Sequence, residues 1–291
     1  MAGCGVSGPA AGPGMSASGH VRGAAGTPGA SPAPGTWLAP GAADAYDRDV
    51  LALRPVLYLT MGHPSAGTEA DLSGHGHTGT YEPPGDRPGA ARLPNGDRAA
   101  DFNGRGQYLQ VPSAGTLSVT RTGFLTVTAW VRPDTLQFPE EEGSGYVYIL
   151  GKGMPGAQEY ALRMYSRRNS ERPERPNRVS AYVFNLAGGL GSGSYFQDRV
   201  KAGAWMMVTF VIDEHGSAAW RDGYVALYKN GVLRKQTSIA QFNVVPREGA
   251  APLRIATRSL ESYFEGAIGK VAIFDYALSL PQINTLYDDM S

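Results

Sequence analysis

The sequence predicts an all-β domain in which two antiparallel sheets pack face to face. Glycine and proline contribute 39 and 21 of the 291 residues, a composition that suits short strands joined by many tight turns. Many short segments alternate apolar and polar residues, or are apolar throughout, and only the C-terminal end has helical spacing. Strands of this kind are buried most simply by packing one sheet on another.

Two regions differ sharply in composition. Residues 1–45 are mostly Gly, Ala, Pro and Ser with hardly an aromatic, and burial of so little apolar surface cannot offset the entropy of ordering. We therefore predict a disordered N-terminal arm over 1–45 and one domain over 46–291. Cys4, the single cysteine, rules out an intramolecular disulfide. Met1-Ala2-Gly3-Cys4 resembles the end of a bacterial lipobox, so Cys4 would carry a lipid if the true start lies upstream; the alternative is an incidental cysteine in a tail.

The charge balance argues against two classes of partner. The chain has 26 basic and 26 acidic residues, so no net field attracts nucleic acid or an anionic membrane. No stretch of about 18 apolar residues occurs, which excludes a transmembrane helix from the prediction.

The first half of the domain contains three strand signals. Val56–Leu59 predicts a first strand, and Ala99–Phe102 with Gln107–Val111 predicts a hairpin closed by Asn103-Gly104, since Asn-Gly accepts positive φ angles. Phe124–Val131 is apolar on both faces, as expected of a central strand between two layers.

The second half continues the pattern. Further strands are predicted at Tyr146–Leu150, Tyr160–Tyr165, Val179–Phe184, Trp205–Ile212, Tyr224–Tyr228, Leu253–Ala256 and Ala267–Phe274. Asn230-Gly231 predicts a second hairpin turn. After Ser279, a good helix cap, Pro281 and the spacing of Ile283 and Leu286 predict a short C-terminal helix.

The order of these motifs resembles the laminin-G-like branch of the concanavalin A-like lectin/glucanase superfamily. The motifs that carry the resemblance are Asp71-Leu72-Ser73-Gly74-His75-Gly76-His77-Thr78-Gly79, Asp101-Phe102-Asn103-Gly104, Tyr108–Pro112, Thr126–Pro133, Trp205, Leu227–Val232, Pro252–Ile255 and Phe264–Ile268. The resemblance implies a two-sheet antiparallel jelly-roll β-sandwich.

The resemblance also bears on metal binding. Many relatives follow the last isoleucine of the series with a pair of carboxylates that help to hold a structural calcium ion, whereas this chain has Gly269-Lys270. Asp71, Asp101 and Asn103 are the remaining candidate ligands, because calcium takes about six to eight oxygen ligands and backbone carbonyls can complete the set. The alternative is that these side chains stabilise turns. No other cofactor is predicted.

Catalysis is the least favoured of the functions that the resemblance allows. Glycoside hydrolysis needs two carboxylates across the sugar bond, and the Glu-x-Asp-x-x-Glu string of hydrolytic relatives is missing. We interpret Glu140–Glu142 as a solvated charge run in a loop.

Aromatic and basic residues around one glycine-rich segment predict a binding surface. Gly188–Phe196 reads as a mobile loop that ends in Tyr195 and Phe196, and the flanking strands carry Tyr165, Tyr182 and Phe184. The alternative is that these rings belong to the core. Six arginines surround the same region and either recognise an acidic group or belong to a solvated loop: Arg163, Arg167, Arg168, Arg172, Arg175 and Arg178.

The sequence thus predicts a non-catalytic binding module, carried on a flexible arm, that recognises carbohydrate or a cell-surface protein. The Gly, Ala and Arg content suggests a GC-rich bacterial genome or its phage and, with the arm, an extracellular protein. An alternative from another class is a structural component of a phage tail or contractile injection particle, in which the arm would order on neighbouring subunits.

Overall fold

A computed structural model of the chain describes residues 44–171, 175–198 and 200–290. The predicted arm lies outside these residues except for its last two positions, and so do Cys4 and Arg172 of the predicted arginine group.

The described chain forms sixteen strands and two α-helices. The first half contains α1 (Ala45–Ala52), β1 (Leu57–Leu59), β2 (Thr68–Glu69), β3 (Gly79–Glu82), β4 (Gly89–Arg92), β5 (Arg98–Asn103), β6 (Tyr108–Val111), β7 (Phe124–Pro133) and β8 (Tyr146–Lys152). The second half contains β9 (Tyr160–Tyr165), β10 (Arg178–Val183), β11 (Ser192–Gln197), β12 (Met206–Asp213), β13 (Tyr224–Lys229), β14 (Val232–Ser238), β15 (Leu253–Ile255), β16 (Glu265–Phe274) and α2 (Leu280–Asp288).

The strands build two antiparallel sheets of eight strands each, which confirms the predicted sandwich. The first sheet has the order β14-β13-β12-β7-β16-β5-β4, and β1 also pairs with β16. The second has the order β11-β10-β9-β8-β15-β6-β3-β2. The main core lies between the sheets, and β7 is central, as predicted, between β12 and β16.

One predicted hairpin is wrong. β5 and β6, which flank Asn103-Gly104, lie in different sheets, β5 beside β4 and β16 and β6 beside β3 and β15. Gly104 has the expected positive φ of 69°, but a turn motif fixes only the local backbone, and the burial of both strands decides their partners. Asn230 and Gly231, with φ of 51° and 76°, do join paired strands, β13 and β14.

The helices pack on the outer face of the first sheet. The C-terminal helix is confirmed as α2, with a capping box of Ser279 and Gln282. Helix α1 is not predicted by the sequence; it begins where Asp44 Oδ1 accepts the N–H of Asp47 at 2.8 Å, and it contacts α2. Neither described helix is long and apolar enough to cross a bilayer.

The outer faces of the two sheets therefore differ. The helix-covered face, on the first sheet, buries one apolar cluster under α1 and α2: Tyr46, Val50, Tyr58, Trp130, Met207, Phe274, Ile283 and Leu286. The open face, on the second sheet, carries polar aromatic and basic side chains that line a groove: Tyr146, Arg163, Tyr165, Arg178, Tyr182 and Tyr195.

Candidate functional site

The open face is built by the alternation of four neighbouring strands, β8 to β11. On β9, Leu162 and Met164 point into the main core, so Arg163 and Tyr165 between and after them point outward. The same alternation on β10 turns Tyr182 outward, and the register sets β9 and β11 on either side of it. Four strands thus bring side chains that are distant in sequence into one groove.

Gly193 on β11 and Gly191 just before it leave room for the rings of Tyr182 on β10 and Phe184 just after it. A Cβ atom at Gly193 would stand 2.6 Å from Cδ1 of Tyr182, and one at Gly191 would stand 2.5 Å from Cε1 of Phe184. Tyr182 and Phe184 stack with their ring centroids 6.0 Å apart. The glycine-rich composition that predicted a loop therefore serves close packing of rings on a strand.

The predicted loop over Gly188–Phe196 is in part strand β11, and this separates its two aromatic residues. Tyr195 points outward and is 39% exposed, whereas Phe196 is 4% exposed and packs in the main core. Neighbouring strand residues face opposite sides of a sheet, so the pair cannot share one site. Tyr195 belongs to the candidate site, and Phe196 does not join it.

The other predicted aromatics form the floor of the groove. Tyr165 is 1% and Phe184 5% exposed, while Tyr146 and Tyr182 are half-buried. Tyr165 and Phe184 are therefore buried, as the alternative of core packing predicts, and all four rings also line the groove. A role of these rings in binding stays a prediction. Tyr146 was not among the predicted site residues, although its position two residues before Tyr148 on one strand face is visible in the sequence.

Two arginines lie between these rings. The Arg163 guanidinium stands 4.2 Å from the ring centroid of Tyr182 and 4.5 Å from that of Tyr146. The Arg178 guanidinium stands 3.3 Å from the ring centroid of Tyr195, and its Nη2 donates to the Tyr182 hydroxyl at 3.2 Å. These are cation–π contacts, in which the negative ring faces attract the guanidinium charge. Among the described residues neither arginine has a carboxylate partner.

The positive charge of this face shifts the ionisation of its own groups. Burial lowers the pKa of the Arg178 guanidinium. Burial also raises the pKa of the Tyr182 hydroxyl, but the charges of Arg163 and Arg178 outweigh it, so that this pKa lies below its usual value. The two guanidinium groups therefore stabilise the ionised form of the Tyr182 hydroxyl.

The groove has a volume of about 710 Å³ and an apolar rim. Leu190 and Phe242 at its edge are 72% and 42% exposed. Glu171 is the single carboxylate among its described lining residues, and it forms an ion pair with Arg175 and accepts the Ser144 hydroxyl at 2.7 Å. The lining combines aromatic ring faces, cationic hydrogen-bond donors and exposed apolar side chains, a combination that is typical of binding sites.

Each of the three predicted calcium ligands has at least one oxygen atom that is bonded to a protein group. Asp71 accepts the N–H groups of Tyr58 and Ser73 at 3.0 Å each and that of His77 at 2.9 Å, so its carboxylate closes the turn. Similar local bonds and ion pairs engage the other two: Asn103 Oδ1 accepts from Arg105 N–H, and Asp101 Oδ2 lies 3.2 Å from Arg132 Nη2. Oδ1 of Asp101 is buried without a hydrogen-bond partner. Calcium at Asp71, Asp101 and Asn103 stays a prediction.

A carboxylate cluster lies elsewhere in the described chain, where Lys270 supplies the cation. Oxygen atoms of Asp44, Asp47 and Asp97 lie within 4.8 Å of one another. The Lys270 ammonium, 1% exposed as a residue, stands 2.5 Å from Asp47 Oδ1 and 2.6 Å from Asp97 Oδ2. Burial alone would lower the pKa of Lys270, but Asp47 and Asp97 outweigh it and raise this pKa. The sequence analysis noted Lys270 only because it replaces a carboxylate found in relatives. It did not predict this cluster, since Asp44 and Asp47 belong to the cap and first turn of the unpredicted α1.

The interpretation of Glu140–Glu142 as a solvated run is wrong for two of its members. Glu141 Oε1 accepts the Phe138 N–H at 2.9 Å, and Glu142 Oε2 accepts the Ser259 hydroxyl at 2.7 Å. Only Glu140 is exposed. The other two carboxylates hold loops in place, which spacing in the sequence does not reveal.

Comparison with known proteins agrees with the fold. The family described as the concanavalin A-like lectin/glucanases superfamily matches residues 103–284. No curated protein matches the sequence. Similar solved structures include the ligand-binding domain of botulinum neurotoxin serotype D in complex with N-acetylneuraminic acid (TM-score 0.58, 15% identity, 82% of this chain and 52% of that chain). The receptor-binding domain of the mosaic serotype C/D is also similar (0.59, 13%, 82% and 51%), as is that of type G (0.52, 14%, 81% and 51%). The chain spans about half the length of these proteins, and the likeness shows the fold alone.

Proposed function

This chain belongs to the concanavalin A-like lectin/glucanases superfamily, and from that premise we propose that it is a non-catalytic module that binds carbohydrate on its open face. The fold alone does not determine the function, because one fold hosts many functions. The proposal therefore depends on the residues of the groove.

The observation that supports carbohydrate is the alternation of ring faces with guanidinium groups in one groove. A sugar ring has an apolar C–H face, which can lie on an exposed aromatic ring such as Tyr195 with little loss of side-chain entropy. Its hydroxyl groups need donors and acceptors, and the N–H groups of Arg163 and Arg178 are strong donors beside the rings. Apolar and polar contacts are thus offered together at the scale of a sugar.

The carboxylates of the groove favour binding over hydrolysis. Hydrolysis of a glycosidic bond uses two carboxyl groups about 5 to 9 Å apart, one of them held protonated. Glu171, the single carboxylate among the described lining residues, is ion-paired with Arg175. An ion-paired carboxylate is a poor general acid.

The size of the groove favours carbohydrate over a protein partner. A volume of about 710 Å³ falls within the usual range of small-molecule pockets, roughly 300 to 1,000 Å³. A stable protein interface instead covers about 800 Å² on each partner. A cell-surface protein ligand and a place in a phage tail or injection particle stay predictions about further partners, the second of them tied to the arm outside the described residues.

The test is a glycan array followed by calorimetric titration of the best ligand. We expect the intact chain to bind at least one glycan and Tyr195→Ala to lose about fivefold or more in affinity, because stacking on one aromatic ring contributes about 1 kcal/mol or more. Leu280→Ala is the matched control, since Leu280 is 47% exposed on α2, on the opposite side of the sandwich. Equal affinity of the two variants would place the site elsewhere, and no binding to any glycan by the folded chain would refute the proposal.

A further inference from the structure

Arg163 and Arg178 line the groove without an ion-pair partner among the described residues, which distinguishes them from Arg175, the third arginine of that lining. Arg175 is ion-paired with Glu171, and Arg254 and Arg258, also buried, donate to amide or carbonyl oxygens of their neighbours. Arg163 and Arg178 face tyrosine rings, and the Nε atom of each is buried without a hydrogen-bond partner. Arg258 shares both features, 4.2 Å from the Tyr148 ring centroid, but it does not line the groove. Two cations in one groove thus have no anionic partner among the residues that the structure describes.

A buried cation without a counterion lowers the stability of the fold unless an anion binds to it. Arg178 is only 6% exposed, and a buried charge without a counterion lowers stability. Contact with ring faces offsets part of this cost, and Nη2 donates to the Tyr182 hydroxyl, but no acceptor among the described residues meets the other N–H groups of the planar guanidinium. Its N–H groups point outward in the plane, so they can still donate to an anion that arrives between the rings.

A second groove continues the first on the far side of Tyr195. It has a volume of about 580 Å³, and Gly193, Tyr195 and Gln241 line both grooves. Its own lining includes Trp220 and Lys235, whose Nζ stands 5.4 Å from the Tyr195 ring centroid. Tyr195 therefore separates two spaces that each have an aromatic ring and a cation.

We propose that the ligand is an acidic glycan chain of several sugars that crosses Tyr195 from one groove into the other. A negatively charged group of the chain accepts hydrogen bonds from Arg163 and Arg178, and a later one approaches Lys235. Each groove alone has the volume of a small-molecule pocket, so a single sugar would leave the second groove and its cation without a role. This inference rests on the proposed function, since it specifies the ligand of the same site.

The first test compares acidic and neutral chains of equal length by calorimetry on the intact chain. The probes are a hexamer of galacturonic acid and the same hexamer with its carboxyl groups reduced to alcohols. We expect the acidic hexamer to bind about ten- to a hundredfold more tightly, as charge-assisted hydrogen bonds to two guanidinium groups require. Dextran sulfate against dextran forms a second pair, because a sulfate offers the same anionic oxygens as a carboxylate, and the better pair identifies the anion.

Variants then test the two grooves separately. Arg163→Gln should remove most of the preference for the acidic hexamer, and Arg163→Lys, which keeps the charge but not the planar fork, should restore part of it. Lys235→Gln, at an exposed residue, should weaken the hexamer several-fold and leave the galacturonic acid dimer unchanged. Arg121→Gln, at an exposed arginine outside both grooves, is the control.

The outcomes separate this inference from the proposed function. Equal binding of the acidic and neutral chains in both pairs, or an Arg163→Gln variant that folds and keeps the acidic preference, overturns the inference and leaves carbohydrate binding in place. Equal affinity for the dimer and the hexamer, unaffected by Lys235→Gln, overturns the crossing of Tyr195. Failure of every glycan to bind refutes the proposed function itself.

Discussion

The helix-covered face and the open face each hold a buried cation among aromatic rings, Lys270 and Arg178, but the groups around the charge differ. Under α1, the Lys270 ammonium meets three carboxylates and lies 5.7 Å from the centroid of the Tyr46 ring. On the open face, Arg163 and Arg178 meet tyrosine rings without a described carboxylate. A cation neutralised within the chain stabilises the fold, whereas a cation left without an anion is available to a ligand.

The aromatic residues of the two faces differ in the same way. Trp130 is 4% exposed and stacks on Tyr287 of α2, with their centroids 5.9 Å apart. Tyr195 is 39% exposed, and the Arg178 guanidinium and the Lys235 ammonium lie against its ring. We therefore expect substitutions on the helix-covered face to change stability and those on the open face to change binding.

The largest expected effect is the loss of the buried cation of the helix-covered face. Lys270→Met removes the ammonium and leaves the Asp47 carboxylate, 4% exposed, without its cation, although the Tyr58 hydroxyl still donates to it. Removal of one member of a buried ion pair lowers the free energy of unfolding by about 3 to 5 kcal/mol. Urea denaturation measures this, with Lys201→Met at an exposed residue as the control. A loss below about 1 kcal/mol would break the contrast between the faces.

A slightly smaller loss is expected for the ring that α2 covers. Trp130→Ala leaves a cavity, and the cost should lie near the lower end of the range for such changes, about 3 kcal/mol, because the half-buried Tyr287 can shift into the space. Thermal and urea denaturation measure it, and Trp130→Phe should recover part of the loss. An unchanged melting temperature would show that the helix does not cover this ring in solution.

The sequence predicts the sandwich well because the strands that matter most are read from local alternation. Tyr160–Tyr165 is a strand with the predicted bounds, and Tyr160, Leu162 and Met164, which alternate along it, lie in the core. The partners of a strand are a different matter, since Asn103-Gly104 allows both a hairpin and a corner between sheets. Pairing depends on burial across the whole domain, which no local motif contains.

The sequence predicts only some residues of the candidate site, because their positions also depend on contacts that are distant in sequence. Tyr165, Tyr182 and Tyr195 could be predicted from their residue type. Which of Tyr195 and Phe196 faces the groove and which faces the core depends on the strand β11, which the sequence analysis took for a loop. Partners across long sequence distances escaped prediction altogether. Helix α1 lies at the end of the low-complexity arm and forms by packing on α2, so the three carboxylates around Lys270 could not be foreseen.

A smaller effect should appear in the pH dependence of the acidic cluster. Burial, helped by the neighbouring Asp97 carboxyl, raises the pKa of Asp44 to about 6 from its usual 3.8. The folded chain therefore holds this proton more tightly than the unfolded chain does. The resulting stabilisation is present below about pH 3.8 and is lost as the pH rises through 6.

Asp44→Asn tests this, because asparagine caps a helix as well as aspartate does but cannot titrate. Urea denaturation at several pH values should show that the unmodified chain loses about 1 kcal/mol relative to the variant between pH 4 and pH 7. The pKa of Asp97 is lowered, since its hydrogen bonds from Asp44 and Lys270 outweigh burial, so its own contribution is lost below that window. A constant difference between the two proteins would mean that Asp44 keeps its ordinary pKa.

The smallest expected change in stability belongs to the open face. Tyr195→Ala removes a ring that is 39% exposed, and the Arg178 guanidinium that loses this ring gains access to water in its place. The free energy of unfolding should change by no more than about 0.5 kcal/mol, the usual range for surface positions, while glycan affinity falls. Both quantities can be measured on one preparation. A loss of 2 kcal/mol or more would show that Tyr195 supports the fold as Trp130 does, and the two faces would then differ in exposure without differing in role.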